Sequence, residues 1–102
     1  MANTFNDIIQ SKKPVLVEFY ATWCGPCKMM NPILQELKTA VGEEVVIIKI
    51  DVEKNQEVAS ALEIQGVPTL MIFQRGELKW RQSGVVSASV LEQVLQQYRS
   101  AI

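Results

Sequence analysis

The chain has no histidine, only two cysteines, and a formal net charge of −1 over its 102 residues. Each shortage narrows the chemistry. Structural zinc sites draw four ligands from Cys and His, and two cysteines supply half of one. A zinc site built from Cys and His within the chain is therefore excluded. Acidic and basic residues nearly cancel, at 11 against 10, so no broad charge field recruits nucleic acid or an anionic membrane. No apolar run approaches the roughly 18 residues of a membrane span. Repeats, linkers and low-complexity tracts are also missing. The segment Met1-Ala2-Asn3-Thr4-Phe5-Asn6-Asp7 lacks the basic and apolar regions of a signal peptide, so a cytoplasmic protein is expected. About a hundred residues, 48% of them hydrophobic, suffice for one self-folding domain, here residues 1–102.

What is present centres on Trp23-Cys24-Gly25-Pro26-Cys27-Lys28, which holds both cysteines. An apolar run, Val15 to Tyr20, precedes it, and a helical pattern starts near Met29. The arrangement predicts a strand, a corner, and the two cysteines on the first turn of a helix. Residues three apart on a helix lie about 5–6 Å from each other. A disulfide needs Cα atoms roughly 4.4–6.8 Å apart, so the pair can open and close with little strain. Three other readings compete. A staple closing a loop of about four residues contributes only roughly 2 kcal/mol in the chain-entropy model. Metal binding requires carboxylates or a second chain. Inert buried cysteines fit poorly with a Gly-Pro turn between them. A redox dithiol is the reading these residues favour.

Along the chain, Phe5, Ile8 and Ile9 have helical spacing, with Asn3 or Thr4 as cap. Val15–Tyr20 is a strand apolar on both faces except for Glu18, whose alternative is a solvated strand end. Met30, Ile33, Leu34, Leu37 and Val41 form a helical stripe that Pro32 interrupts and Gly42 ends. Val45–Val52 is the most apolar strand and is expected at the sheet centre, with Lys49 as its intruder. Asn55–Leu62 fits a short helix. Leu70–Phe73 and Glu77–Ser83 flank a Gln74-Arg75-Gly76 turn, with Leu78 and Trp80 alternating against Lys79 and Arg81. Ser87 or Ser89 caps a final helix, Ser89 through a capping box with Glu92, and Val90, Leu91, Val94, Leu95 and Tyr98 form its buried face. The order implies an α/β fold with a mixed sheet, parallel first and then an antiparallel hairpin.

The motif Trp23-Cys24-Gly25-Pro26-Cys27-Lys28, then Pro32, Lys49-Ile50-Asp51 and Gly66-Val67-Pro68-Thr69, together resemble the thioredoxin family across the whole chain. The resemblance implies a thioredoxin fold, a central mixed sheet with helices on both faces. It implies Cys24 as nucleophile, Cys27 as resolving cysteine and Pro68 with a cis bond facing the dithiol. The substrate rim it implies is Trp23, Gly25, Pro26, Val67, Pro68, Gly84 and Val85. Two residues depart from the family pattern. Glu18 stands where a buried aspartate is usual, and Tyr20 where tryptophan is common. Glu18-Phe19-Tyr20-Ala21 is similar to protein disulfide isomerase domains, but those carry histidine at the position of Pro26.

The resemblance further implies a general protein-disulfide reductase that binds no cofactor. A thioredoxin reductase recharges it with electrons from NADPH, its substrates are disulfide-containing proteins, and it acts as a monomer. A disulfide oxidase or isomerase, or a non-catalytic binding module switched by its thiols, are the alternatives. A helix N-terminus favours thiolate at Cys24. Thioredoxins are themselves the reference case, with a nucleophile pKa of about 7 against about 8.5 for free cysteine. The roughly fifteenfold gain in thiolate is offset by perhaps fivefold lower nucleophilicity, a net gain near threefold. Substrate positioning must supply most of the rate. Cys24 is expected to be exposed and Cys27 buried one turn inward. Burial raises a thiol pKa, so Cys27 needs a proton acceptor, and Glu18, paired with Lys49, is the leading candidate. The alternative for Lys49 is a side chain that reaches solvent.

Overall fold

The computed structural model describes residues 4–99. Thr4 caps α1 (Phe5–Ile8) through a capping box with Asp7; Asn3 lies outside the described residues. β1 (Val15–Tyr20) leads through a short corner into α2 (Gly25–Val41). β2 (Val46–Asp51), α3 (Gln56–Ala61), β3 (Thr69–Gln74), β4 (Glu77–Ser83) and α4 (Ala88–Gln96) follow. The four strands run in the order β2-β1-β3-β4. β1 pairs parallel with β2 and antiparallel with β3, and β3 pairs antiparallel with β4.

Helices cover both faces, and strand periodicity decides which side chains meet which helix. Leu16, Leu70 and Ile72 pack with Met30, Leu34 and Leu37 of α2 and Leu91 and Leu95 of α4. Val15, Val17 and Phe19 point the other way and meet Phe5 and Ile8 of α1 and Val58 of α3. Phe5 pins the four-residue α1, its ring 5.4 Å from that of Phe73 in an edge-on contact. Each fully buried side chain of this size stabilises by about 1.5–3 kcal/mol. α2 buries Cys27, Met30, Leu34, Leu37 and Val41, steps of three and four that make one stripe, and Pro32 lies on its exposed side. Gly42, at φ +58, ends the helix, and the Lys38 ammonium donates to its carbonyl at 2.9 Å.

Three expectations are corrected. β2 lies at the edge of the described sheet, not at its centre. Its side chains are apolar because Ile47 packs on the α2 side while Val46, Ile48 and Ile50 pack on the α1 side. An edge strand covered on both faces is as apolar as a central one; only the backbone pairing differs. The alternation of β4 breaks at a bulge between Ile72 and Phe73. Trp80 opposes Ile72 and packs toward α2 and α4, whereas Leu78 opposes Phe73 and lies largely exposed beside α1. In α4 the cap is Ser87, one of the two expected serines, which accepts from the Val90 amide, but Val90, expected on the buried face, is 40% exposed. Ala88, Leu91 and Leu95, at steps of three and four, take the buried face, and Val90 lies off that stripe.

Candidate active site

The strand-to-helix corner builds the centre of the site. β1 ends at Tyr20, and the Cys24 amide donates to the Ala21 carbonyl at 3.2 Å, which folds the chain back into α2. Cys24 is the N-cap of α2, and its Sγ accepts a hydrogen bond from the Cys27 amide at 3.1 Å. Pro26 in the first turn has no N–H to offer, so the Cys27 amide is the donor that reaches the sulfur. Cys24 and Cys27 form a disulfide with Cα atoms 5.3 Å apart. Exposure does not separate the two: Cys24 is 4% exposed and Cys27 3%, against the expectation of an open Cys24. What separates them is the helix. Cys24 lies outside it and receives a helix-start N–H, while Cys27 lies within the first turn.

The loop before β3 closes over the sulfurs. Val67 packs against the cluster of Ala21, Cys24 and Cys27, and its carbonyl oxygen lies 3.6 Å from Cys24 Sγ. The Val67–Pro68 bond is cis. The Thr69 hydroxyl donates to the Gly66 carbonyl at 2.6 Å, and the Gly84 amide donates to the Pro68 carbonyl at 2.8 Å. Gly84, at φ +92, adopts a backbone shape that a side chain would oppose. Val85, next in the chain, is exposed. Trp23, Gly25, Pro26 and Val85 are exposed around the disulfide, Val67 is half-buried and Pro68 buried. The candidate rim residues thus come from the corner, the start of α2, the cis-proline loop and the end of β4.

Glu18 is fully buried, and neither carboxylate oxygen has a hydrogen-bond partner. It shares the α2-facing side of β1 with Leu16. Burial pushes its pKa up to about 7, and the Lys49 charge pulls it back in part. The expected Glu18–Lys49 pair is not formed. The two residues are register partners, but the Lys49 ammonium donates to Asn31 Oδ1 at 2.7 Å and lies 4.7 Å above the Tyr20 ring. The flexible stem lets the ammonium keep its hydration at the surface, so Lys49 acts on Glu18 only through space.

Two contributors escaped the sequence reading. Asn31 anchors the Lys49 ammonium, and Glu53 accepts a hydrogen bond from the Trp23 indole at 2.7 Å. A faint signal existed for the second: Asp51-Val52-Glu53 ends a strand parallel to β1, so it lies level with the corner after Tyr20. Among the described residues no group of three His, Cys, Asp or Glu side chains could hold a metal ion. No helix among them is long and apolar enough to cross a membrane.

The sequence model of the thioredoxin family matches residues 1–97. A chloroplastic thioredoxin Y of Oryza sativa is 43% identical over 101 residues, 98% of this chain and 58% of that protein. A bifunctional thioredoxin reductase/thioredoxin of Mycobacterium leprae is 43% identical over 76 residues, 74% of this chain and 17% of that protein. The crystal structure of oxidised mitochondrial thioredoxin 3 from Saccharomyces cerevisiae superposes with a TM-score of 0.81 at 33% identity, covering 91% of this chain and 86% of that one. This chain thus spans little more than half of the rice relative and a small part of the mycobacterial fusion, but most of the yeast protein. The Cys24–Cys27 disulfide at the start of α2, the sheet order and the extent of these matches agree: the chain belongs to the thioredoxin family of protein-disulfide oxidoreductases.

Proposed function

We propose that this protein is a general electron donor to protein disulfides, with Cys24 as nucleophile and Cys27 as resolving thiol. One observation carries the direction of attack: Cys24 Sγ accepts the Cys27 amide at the helix start, where a thiolate is stabilised. The Cys24 thiolate attacks one sulfur of a substrate disulfide. A mixed disulfide forms, and the other substrate sulfur leaves as thiolate. Cys27, deprotonated, attacks Cys24 Sγ, releases the second substrate thiolate and restores the Cys24–Cys27 bond. Two electrons pass to the substrate. Glu18, unpartnered on the sheet face that α2 covers, is the acceptor for the Cys27 proton.

Substrate proteins dock on the rim of Trp23, Gly25, Pro26, Val67, Pro68, Gly84 and Val85, exposed or half-buried apart from Pro68. No bound cofactor is required, since both electrons reside in the two sulfurs. Re-reduction falls to a thioredoxin reductase drawing on NADPH, a reading supported by the mycobacterial relative, whose name joins the two activities in one chain. A cytoplasmic setting suits a dithiol that must be kept reduced; the name of the rice relative assigns that protein to the chloroplast. The test is a redox titration combined with reduction of insulin disulfides. A potential near −270 mV, the reference value for thioredoxins, with turnover lost in Cys24→Ser, is expected. A potential between about −180 and −120 mV overturns the donor role in favour of an oxidase.

A further inference from the structure

Four polar or charged residues share the α2-facing side of the β1–β2 pair. By alternation Glu18 and Tyr20 follow Leu16 on β1, and Lys49 and Asp51 follow Ile47 on β2. The Lys49 ammonium thus has one acid across the ladder and another two residues along its own strand. It pairs with neither. Both Glu18 oxygens are unpartnered, and Asp51 Oδ1 accepts the Glu53 amide at 2.8 Å.

The ammonium goes instead to a neutral group. Asn31, exposed on α2 between the buried Met30 and the exposed Pro32, accepts it through Oδ1 at 2.7 Å. A hydrogen bond with a charged partner is short and about twice as strong as a neutral one. The Tyr20 ring, 4.7 Å away, adds a cation–π contact inside the usual limit of about 6 Å. An amide makes this bond without bringing a charge of its own to the site. The other position open to the ammonium is inward. Neighbouring strands lie about 4.8 Å apart, well within the reach of a lysine stem. Desolvation opposes that turn, and the outward bonds add to the opposition. The side chains that β3 and α4 give to this layer are apolar: Leu70 opposite Glu18, and Ala88, Leu91 and Leu95. α2 buries Met30, Leu34 and Cys27, and the thiol of Cys27 titrates only in the reduced protein.

We propose that Asn31 is a positioning residue: with the Tyr20 ring it holds the Lys49 ammonium outward, so that Glu18 stays unpaired and free to accept the Cys27 proton. The inference rests on the acceptor role given to Glu18 above and extends it to a residue outside the cysteine motif. A contact ion pair would favour the ionised carboxyl and make it a weaker base. Kept apart from the ammonium, the carboxyl titrates at about 7, near the pH at which it works.

The experiment follows the Glu18 carboxyl carbon by NMR across pH in the oxidised protein, where the two sulfurs do not titrate. Asn31→Ala, Lys49→Met and the double variant are compared with wild type. Asn31 is exposed and alanine is the better helix former, so the substitution keeps the fold. Asn31→Ala is expected to lower the Glu18 midpoint by about one pH unit, the low end of the effect of an opposite charge at contact. On the Lys49→Met background the same substitution leaves the midpoint in place. In single-turnover reduction of insulin, the pH profile of mixed-disulfide release moves down with the midpoint. An unchanged or raised midpoint in Asn31→Ala overturns the proposal, as does an equal fall on the Lys49→Met background. A release profile that stays in place while the midpoint falls sinks the acceptor role of Glu18 instead, and the hold of Asn31 on the ammonium stands.

Discussion

Glu18 and Lys49 share a register position on neighbouring parallel strands, yet their side chains part. The ion pairs of the described residues join Lys79 to Glu77 and Arg99 to Glu44 instead. Glu18 stays beneath α2 with both oxygens unpartnered, while Lys49 rises to Asn31 and the Tyr20 ring. Contact would require the ammonium to give up its hydration in an apolar layer, a cost that pairing often fails to recover. The outcome is a carboxyl group held near neutrality by burial and moderated by a charge it does not touch.

That arrangement makes stability depend on pH through Glu18. Its pKa rises from 4.5 to about 7 on folding. Below the lower value both states are protonated, and ionisation adds no cost. Between the two values only the unfolded chain ionises, so stability falls as pH rises; above the upper value the cost is complete, at about 3 kcal/mol. Glu18→Gln is therefore expected to match wild type in urea unfolding near pH 4 and to exceed it by about that amount near pH 8. A stability difference independent of pH would overturn the assignment.

The same carboxyl should govern the second chemical step. As a base Glu18 is competent only when ionised, so release of the mixed disulfide should accelerate as pH rises through about 7. Glu18→Gln should lose this acceleration and slow release by about 10–100-fold, toward the low end of general-base contributions. Single-turnover kinetics that follow attack and release separately provide the check. Unchanged release in the variant would mean that water alone takes the proton.

Lys49→Met removes the charge that lowers the Glu18 pKa. The midpoint of Glu18 titration, followed by carboxyl-carbon NMR, is expected to move upward, and the pH profile of release should move with it. A midpoint that stays in place would show that the Lys49 ammonium is fully screened by solvent.

Cys27→Ser should accumulate mixed disulfides with substrate proteins, because attack survives and resolution cannot occur. Non-reducing gels of reduced protein mixed with insulin decide the matter. Since the two cysteine residues are almost equally buried, the expectation rests on the N–H that Cys24 receives, not on access. A better trap in Cys24→Ser would reverse the roles.

Gly76→Ala tests the hairpin. Arg75 and Gly76 both have positive φ, at 52° and 83°, as a two-residue turn between β3 and β4 requires. A Cβ on Gly76 would also lie 2.7 Å from the Gln10 amide nitrogen, which must swing away. A loss of about 1–2 kcal/mol in chemical denaturation is expected. A loss below the error of the measurement would show that the turn relaxes freely.

Much of this site was legible in one dimension. The Cys24–Cys27 corner, β1, α2 and the Gln74–Gly76 turn announce themselves through local spacing, caps and glycines, which act over a few residues. Glu18 stood out because a carboxylate in an apolar strand has few benign explanations. The edge position of β2 was hidden, since side-chain pattern reports face coverage and says nothing of which strand bonds to which. The bulge at Ile72–Phe73 reversed the direction of Leu78, and no turn residue marked it. The Trp23–Glu53 tie spans two loops that only the finished fold brings level.

The edge position of β2 has a consequence for solubility. The Val46 and Val52 amides donate to the carbonyls of Pro14, just before β1, and of Tyr20 at its end, so alternation turns the backbone groups of Ile47 and Lys49 away from the sheet. Among the described residues no strand lies on that side. An apolar strand with a free row of donors and acceptors is a template on which another chain can grow. In Val46-Ile47-Ile48-Lys49-Ile50 the lysine is the only charge, and replacing it with an apolar residue leaves five residues with the composition of a cross-β segment. An apolar replacement at position 49 is therefore expected to promote self-association as well as to raise the pKa of the acid beneath α2.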